Sequence, residues 1–203
     1  MNAIVDADAA ARAGWAFVAV AEACLNGGAR FIQVRGKNLA SGELLDATRA
    51  IVALARRAGA TTIVNDRADV AKMAAADGVH LGQTDLPPDA ARAVLGPGAI
   101  IGRSTHTAAQ IDAASREPID YLAIGPVFAT STKATGYDAV GLPMVERAAR
   151  SGRPIVAIGG ITIETAASVI KAGASSVAVI SDLLATGDPE RRVREYIARL
   201  ERI

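Results

Sequence analysis

The sequence predicts a (β/α)8 TIM barrel, a closed parallel sheet ringed by helices, built as a single domain over residues 1–203. Three observations carry this expectation. Eight short runs rich in Val and Ile recur along the chain, each bounded by Gly, Pro or Asp. Helical patterns separate them in strict alternation, which implies right-handed crossovers and parallel pairing. The runs are continuously apolar rather than alternating, as strands covered on both faces are. An open doubly wound sheet has the same alternation. The chain lacks G-x-G-x-x-G and G-x-x-x-x-G-K-[ST], which counts against dinucleotide and P-loop versions of that sheet.

Each element has its own signal. Ala3-Ile4-Val5 opens the chain as the first strand. Trp15 to Leu25 places Phe17, Val18, Ala21 and Leu25 at helical spacing, and Ala29 to Val34 is the second strand. Ser41 reads as an N-cap before the apolar stripe Leu44, Leu45, Thr48, Ile51, Val52 and Ala55, with Gly59 as the C′ glycine. Thr61 to Val64 is the third strand, and Arg67 to Ala75 a short helix by elimination. Gly78 to Leu81 is the fourth strand, and Pro87-Pro88 opens a helix that ends before Gly96. Ile100 to Gly102 is the fifth, followed by a helix capped by Thr107. Tyr121 to Ile124, Pro154 to Ile158 and Ser176 to Ile180 complete the strands. Leu142 to Ala149, Thr162 to Ala172 and Pro189 to Leu200 complete the eight helices.

Composition removes several function classes. Aromatics are 3%, so the core is aliphatic and stacking platforms for single-stranded nucleic acid are scarce. Lys plus Arg is 22 against 21 for Asp plus Glu, so no bulk basic excess points to nucleic acid. Cys24 is the single cysteine, which excludes an internal disulfide and a multi-cysteine zinc site, and its setting reads as helix core. No stretch is long and apolar enough to span a membrane, and the start lacks the basic region of a signal peptide. A cytoplasmic protein acting on small molecules is expected, its oligomeric state left open, a homo-oligomer included.

In such a barrel the site lies at the C-terminal strand ends. The residues there are Asp6; Gln33, Arg35 and Lys37; Asn65, Asp66 and Arg67; Gln83 and Asp85; Ser104 and His106; Thr130, Thr132 and Lys133; Gly159-Gly160; and Ser181-Asp182. Three subsites follow. Gly159-Gly160 with Ser181 occupy the common barrel phosphate position, where a tight turn needing positive φ is the alternative role. Asp66 and Asp85 form a hard oxygen pair suited to Mg²⁺, the alternatives being a helix cap and a turn. Arg35, Lys37 and Lys133 add cations around that ion, which suits a diphosphate better than a monophosphate, although Lys37 and Lys133 also read as solvated loop charges. His80 reads as a satisfied core residue and His106 as a residue ordering its loop. A zinc site built from both histidines and a carboxylate stays open.

Taken in order, these segments resemble the thiamine-phosphate synthase family. The resemblance runs from about Gly27 to Ser181. It is carried by Gln33-Val34-Arg35-Gly36-Lys37, Val64-Asn65-Asp66-Arg67 and Asp77-Gly78-Val79-His80-Leu81-Gly82-Gln83-Thr84-Asp85. It continues through Gly102-Arg103-Ser104-Thr105-His106, Gly125-Pro126-Val127-Phe128-Ala129-Thr130-Ser131-Thr132-Lys133, Ile158-Gly159-Gly160 and Val179-Ile180-Ser181. Each piece is modest alone; the ordered series is specific.

The resemblance implies a (β/α)8 transferase that joins a hydroxymethylpyrimidine diphosphate to a thiazole or carboxythiazole phosphate and releases diphosphate. Gln33, Val34, Arg35, Gly36 and Lys37 would contact the pyrimidine diphosphate, with Asn65 and Lys133, and Ser104 beside the ring. Asp66 and Asp85 would hold Mg²⁺. Thr130, Ser131 and Thr132, with Gly160, Ile180 and Ser181, would take the thiazole phosphate. Arg35, Lys37, Lys133 and Ser104 would carry the chemistry. The sequence departs from the family pattern at Gly36, where Glu is usual, and at Ser131, where Pro is common. A thiazole tautomerase of the same superfamily is the nearest alternative, since its serine-to-histidine region resembles Gly102 to His106. A non-catalytic thiazole-phosphate-binding barrel is another.

Overall fold

The computed structural model describes residues 1–130 and 136–203. Eight parallel strands close into one barrel in sequence order. They are β1 (Asn2–Asp6), β2 (Phe31–Arg35), β3 (Thr61–Asn65), β4 (Gly78–Leu81), β5 (Ile100–Thr105), β6 (Tyr121–Ile124), β7 (Ile155–Ile158) and β8 (Ser176–Val179). The ring closes where Asn2 and Ala3 of β1 pair with Ala178 and Val179 of β8. The open-sheet alternative is thereby excluded.

The helices pack outside. They are α1 (Ala7–Arg12), α2 (Phe17–Asn26), α3 (Ser41–Arg57), α4 (Ala68–Ala74), α5 (Pro88–Leu95), α6 (Ala108–Ala114), α7 (Gly141–Ala149), α8 (Ala166–Lys171) and α9 (Pro189–Leu200). A single 3-10 turn, Ser181–Leu183, follows β8. The alternating pattern predicts eight helices; α1 is the extra one. Its six residues are too few to show an apolar stripe, and it exists because Asp6 accepts a hydrogen bond from Ala9 N at 2.8 Å. The cap of α3 also differs from expectation. Ala40 is the N-cap, and its N–H donates to the Glu43 carboxylate at 3.3 Å. Gly59 does end α3, with φ +64. Thr107 does cap α6, accepting from Gln110 N at 3.2 Å.

Alternation of side chains in the strands sorts the core into two layers. Val5, Val34, Val64, Val79, Ile101, Leu122, Ile124 and Val177 point outward and pack under the helices. Ile4, Tyr121, Ala123, Val156 and Ala178 fill the barrel interior, with Phe31, Ile100, Ile158 and Ile180 against them. Cys24 is fully buried on α2, and burial pushes its thiol up to about 12, which makes it the inert core residue expected. Among the described residues no helix is long and apolar enough to cross a membrane.

Candidate active site

Strands β2 to β5 deliver polar groups to the C-terminal mouth from inward positions, which repeat every second residue. On β2 these are Gln33 and Arg35, on β3 Asn65, on β4 His80 and on β5 Ser104. They line one cavity with Ile4, His106, Gly125, Pro126, Thr130, Ile158, Gly159 and Ile180. Ser104 lies within β5 rather than in the loop beyond it, because the strand continues through Thr105. Its hydroxyl meets His80 Nε2 at 2.8 Å. Gln83 reaches back from the next loop and donates to the Ser104 carbonyl at 2.6 Å.

Arg35 is held by a partner that the sequence did not link to it. Its guanidinium pairs with Asp6 at the end of β1, in register across the two strands. Both side chains are buried, at 10% and 3% exposure, which makes the pair part of the scaffold. Arg35 Nε is buried without a partner among the described residues. A buried donor left unpaired in a polar cavity is suited to an oxygen ligand.

At the rim, Lys37 Nζ lies 2.9 Å from Asp66 Oδ2. Asp66 sits at φ +63, and Arg67 N–H bonds to the Asn65 carbonyl across it at 2.8 Å. This three-residue turn is a strained conformation for a residue with a Cβ. Asp66 does not cap α4, whose N-cap is Arg67. Asp85 accepts from Gly82 N at 2.6 Å. Burial, then contact with the Asp66 carboxylate, holds the Asp85 carboxyl above its usual range, while the Gly82 N–H and Lys37 pull the other way.

A second cleft of about 350 Å³ adjoins the first. It is lined by Ala129, Gly160, Thr162, Ser181 and Asp182, and it shares Thr130, Ile158, Gly159 and Ile180 with the cavity. Gly159 and Gly160 take φ +98 and +63. A Cβ on Gly160 would fall 2.6 Å from the Ala129 carbonyl oxygen, and one on Gly159 2.5 Å from Pro126 Cα. Both the positive φ and the close backbone approach therefore require glycine. Asp182 anchors this rim: it accepts hydrogen bonds from Arg192 Nε and Nη2 at 2.9–3.1 Å and from the Tyr196 hydroxyl at 2.5 Å.

The thiamine monophosphate synthase family model matches residues 1–183. A thiamine-phosphate synthase of Anaeromyxobacter dehalogenans is 46% identical over 185 residues, 91% of this chain and 83% of that one. The chain belongs to the thiamine monophosphate synthase family. A thiamine-phosphate synthase of Chlorobium luteolum is 45% identical over 175 residues, 86% of this chain and 82% of that one. The solved thiamine phosphate pyrophosphorylase from Pyrococcus furiosus superposes with a TM-score of 0.90 at 32% identity, covering 99% of this chain and 95% of that one. As a member of the family the chain is an enzyme of thiamine biosynthesis, a transferase.

The residues singled out in the sequence now have places. Gln33, Arg35, Asn65, Ser104 and Thr130 meet in the cavity, and Thr130, Gly160, Ile180 and Ser181 meet in the adjoining cleft. Lys37, Asp66 and Asp85 meet at the rim. The Val34 side chain is fully buried in the outward layer, so its backbone is the part that could face a ligand. At Gly36 a Cβ would press on Leu39 Cδ1 at 2.8 Å, so the usual larger residue would have to displace that flexible leucine. Ser131, Thr132 and Lys133 lie outside the described residues.

The two histidines have different partners among the described residues. His80 bonds Tyr121 and Ser104, whereas His106 bonds the Gly125 carbonyl through Nδ1 and stacks on Tyr137 with centroids 4.2 Å apart. Among the described residues no three His, Cys, Asp or Glu side chains gather as a metal cluster. Two site features escaped the sequence reading. Asp6 as the Arg35 partner depends on strand register, and so does Tyr121 as the hydrogen-bond partner of His80.

Proposed function

We propose that this enzyme joins a hydroxymethylpyrimidine diphosphate to a thiazole or carboxythiazole phosphate, giving thiamine phosphate and diphosphate (and CO₂ from the carboxythiazole) in the cytoplasm with Mg²⁺ as cofactor. One observation carries the reading. Two subsites of different chemistry share a wall of Thr130, Ile158, Gly159 and Ile180. One has a glycine-rich backbone cradle; the other has the Arg35 guanidinium, the carboxamides of Gln33 and Asn65, and the Ser104 hydroxyl. A condensing enzyme needs two such substrates held in contact.

The residues present fit a hard divalent ion. Asp66 and Asp85 bring two carboxylates into contact, a costly arrangement that a shared cation relieves. Mg²⁺ ordinarily takes one or two carboxylates and completes its shell with waters and substrate phosphates, so two protein ligands suffice. When bound there, the ion would supply positive charge against which a diphosphate can depart.

The chain's own groups then have distinct tasks. Arg35, fixed by Asp6, would turn its buried Nε to a diphosphate oxygen. Lys37 would exchange part of its bond to Asp66 for the same diphosphate, and Lys133 would add a further cation. Gln33, Asn65 and Ser104 would orient the pyrimidine ring, so that the bond to the leaving oxygen breaks, its electron pair leaves with the diphosphate, and the electron-rich ring stabilises the benzylic-type cation that forms. The Gly159–Ile161 turn, Ser181 and the threonine-rich loop would seat the thiazole phosphate so that the ring nitrogen attacks that carbon. No step requires a dedicated general base.

A tautomerase would use one phosphate cleft and leave the Lys37–Asp66–Asp85 group without a task. The reading is tested by assaying the purified protein with both substrates, with Mg²⁺ and after chelation. Thiamine phosphate formation that stops on chelation and returns with Mg²⁺ is expected. Formation unaffected by chelation would remove Mg²⁺ from the account.

A further inference from the structure

The loop between β4 and α5 is closed on one residue. Gly82 N–H donates to Asp85 Oδ2 at 2.6 Å, and Asp85 N–H donates back to the Gly82 carbonyl at 3.4 Å. A Cβ on Gly82 would fall 2.9 Å from Asp85 Oδ2, so the carboxylate lies directly against the glycine. The same carbonyl accepts a second bond, from Arg103 Nη1 at 2.6 Å. A carbonyl oxygen has two lone pairs, and here each has a donor. Gly82 is therefore the hub through which Asp85 is joined to β5.

Arg103 is buried on β5, in register with Leu81 at the end of β4. Successive strand residues face opposite ways, so with Ser104 turned into the cavity Arg103 points outward. Its Nε lies 3.4 Å from Glu117 Oε2, in the connection between α6 and β6. The planar guanidinium thus spans two anchors, and a single ammonium does not reproduce that fork. A second bond ties the next loop residue to the next strand residue: Gln83 Nε2 donates to the Ser104 carbonyl at 2.6 Å. Arg103 and Ser104 of β5 thus hold Gly82 and Gln83, and the loop that carries Asp85 is set in place against the strand that carries Ser104.

We propose that Arg103 is a positioning residue: by holding the Gly82 carbonyl it fixes the Asp85 carboxylate at the rim as a ligand for a divalent cation. Arg103 faces away from the mouth and acts through Gly82. Groups that orient a metal-binding carboxylate from behind typically change metal affinity about 10–100-fold when removed. The inference rests on the reading of Asp66 and Asp85 as the cation site.

Mn²⁺, which shares the oxygen-ligand preference of Mg²⁺ and is visible by electron spin resonance, is the probe. Loss of the free Mn²⁺ signal on titration gives a Kd without turnover, and Asp85→Asn defines the site by the binding that it removes. Arg103→Met is expected to raise that Kd about tenfold, while the KM for the thiazole phosphate at saturating Mg²⁺ stays unchanged. Arg103→Lys keeps the charge beside Glu117 but gives up the fork. It is expected to weaken Mn²⁺ binding in the same direction, and it decides the matter if the methionine variant does not fold. A folded variant with a lower Tm and the wild-type Kd makes Arg103 structural and overturns the proposal. An equal rise in the Kd and in the KM, which reports a general loosening of the mouth, overturns it as well. Wild-type protein without Asp85-dependent Mn²⁺ binding would overturn the cation reading and the proposal with it. Asp85-dependent binding in a protein that forms no thiamine phosphate would overturn the proposed reaction alone.

Discussion

Lys37 Nζ lies 2.9 Å from Asp66 Oδ2, and the backbone that presents Asp66 is bent to φ +63. A left-handed conformation costs a non-glycine residue about 1–2 kcal/mol. The half-exposed ion pair returns at most about 1 kcal/mol. The turn is therefore maintained for what the carboxylate does. Asp66→Gly is expected to keep or raise stability in urea unfolding while turnover falls at least about a hundredfold, as for loss of a key electrostatic group. Marked destabilisation with turnover retained would make Asp66 a structural residue.

Asp85 predicts how metal and protons compete. Burial and the Asp66 carboxylate hold its carboxyl above the usual range. The folded state therefore binds this proton more tightly than the unfolded chain does. The cost of the bare carboxylate is full above the folded pKa and is relieved as pH falls through it. Mg²⁺ needs the ionised form. The rise in Tm on adding Mg²⁺ should be larger near about pH 8 than near about pH 5, on either side of a raised carboxyl. Calorimetry at the two pH values checks it. A gain independent of pH would separate the ion from Asp85.

The buried pair of Asp6 and Arg35 gives a stability prediction. Asp6→Ala removes the partner of a buried guanidinium and the cap of α1 together. The expected loss is about 3–5 kcal/mol for the stranded charge, with about 1 kcal/mol more for the cap. Urea unfolding measures it. A loss below about 1 kcal/mol would mean that Arg35 finds water instead.

Gly160 lines the adjoining cleft and not the cavity. Its positive φ and the Ala129 carbonyl 2.6 Å from any Cβ mean that Gly160→Ala must move the cradle. A destabilisation of about 1–3 kcal/mol is expected, together with a raised KM for the thiazole phosphate and little change for the pyrimidine diphosphate. Steady-state kinetics in each substrate separately would show it; an effect confined to the pyrimidine diphosphate would reassign the cleft.

The sequence showed a parallel sheet because its strands are continuous Val and Ile runs such as Val177-Ala178-Val179, which suit strands covered on both faces, and eight of them suit a closed barrel. Glycines announced turns that close contact demands, as at Gly159-Gly160. What stayed hidden depends on register. Asp6 is one polar residue after a strand until β1 and β2 align it with Arg35. Gly102 and Tyr121 are unremarkable strand residues until β4, β5 and β6 place them beside His80. The helix α1 escaped because six alanine-rich residues carry no stripe; a capping bond makes it. Ser104 was read beyond its strand because Arg103, Ser104 and Thr105 are polar, yet the barrel interior at the mouth is itself polar.

The central claim is that two substrates condense in adjoining subsites of one mouth. Incubation of the folded wild-type protein with the pyrimidine diphosphate, the thiazole phosphate and Mg²⁺ tests it most directly. Thiamine phosphate and diphosphate appearing in equal amounts is the predicted result. Folded protein that binds or isomerises the thiazole phosphate, and releases no diphosphate with both substrates present, would contradict it.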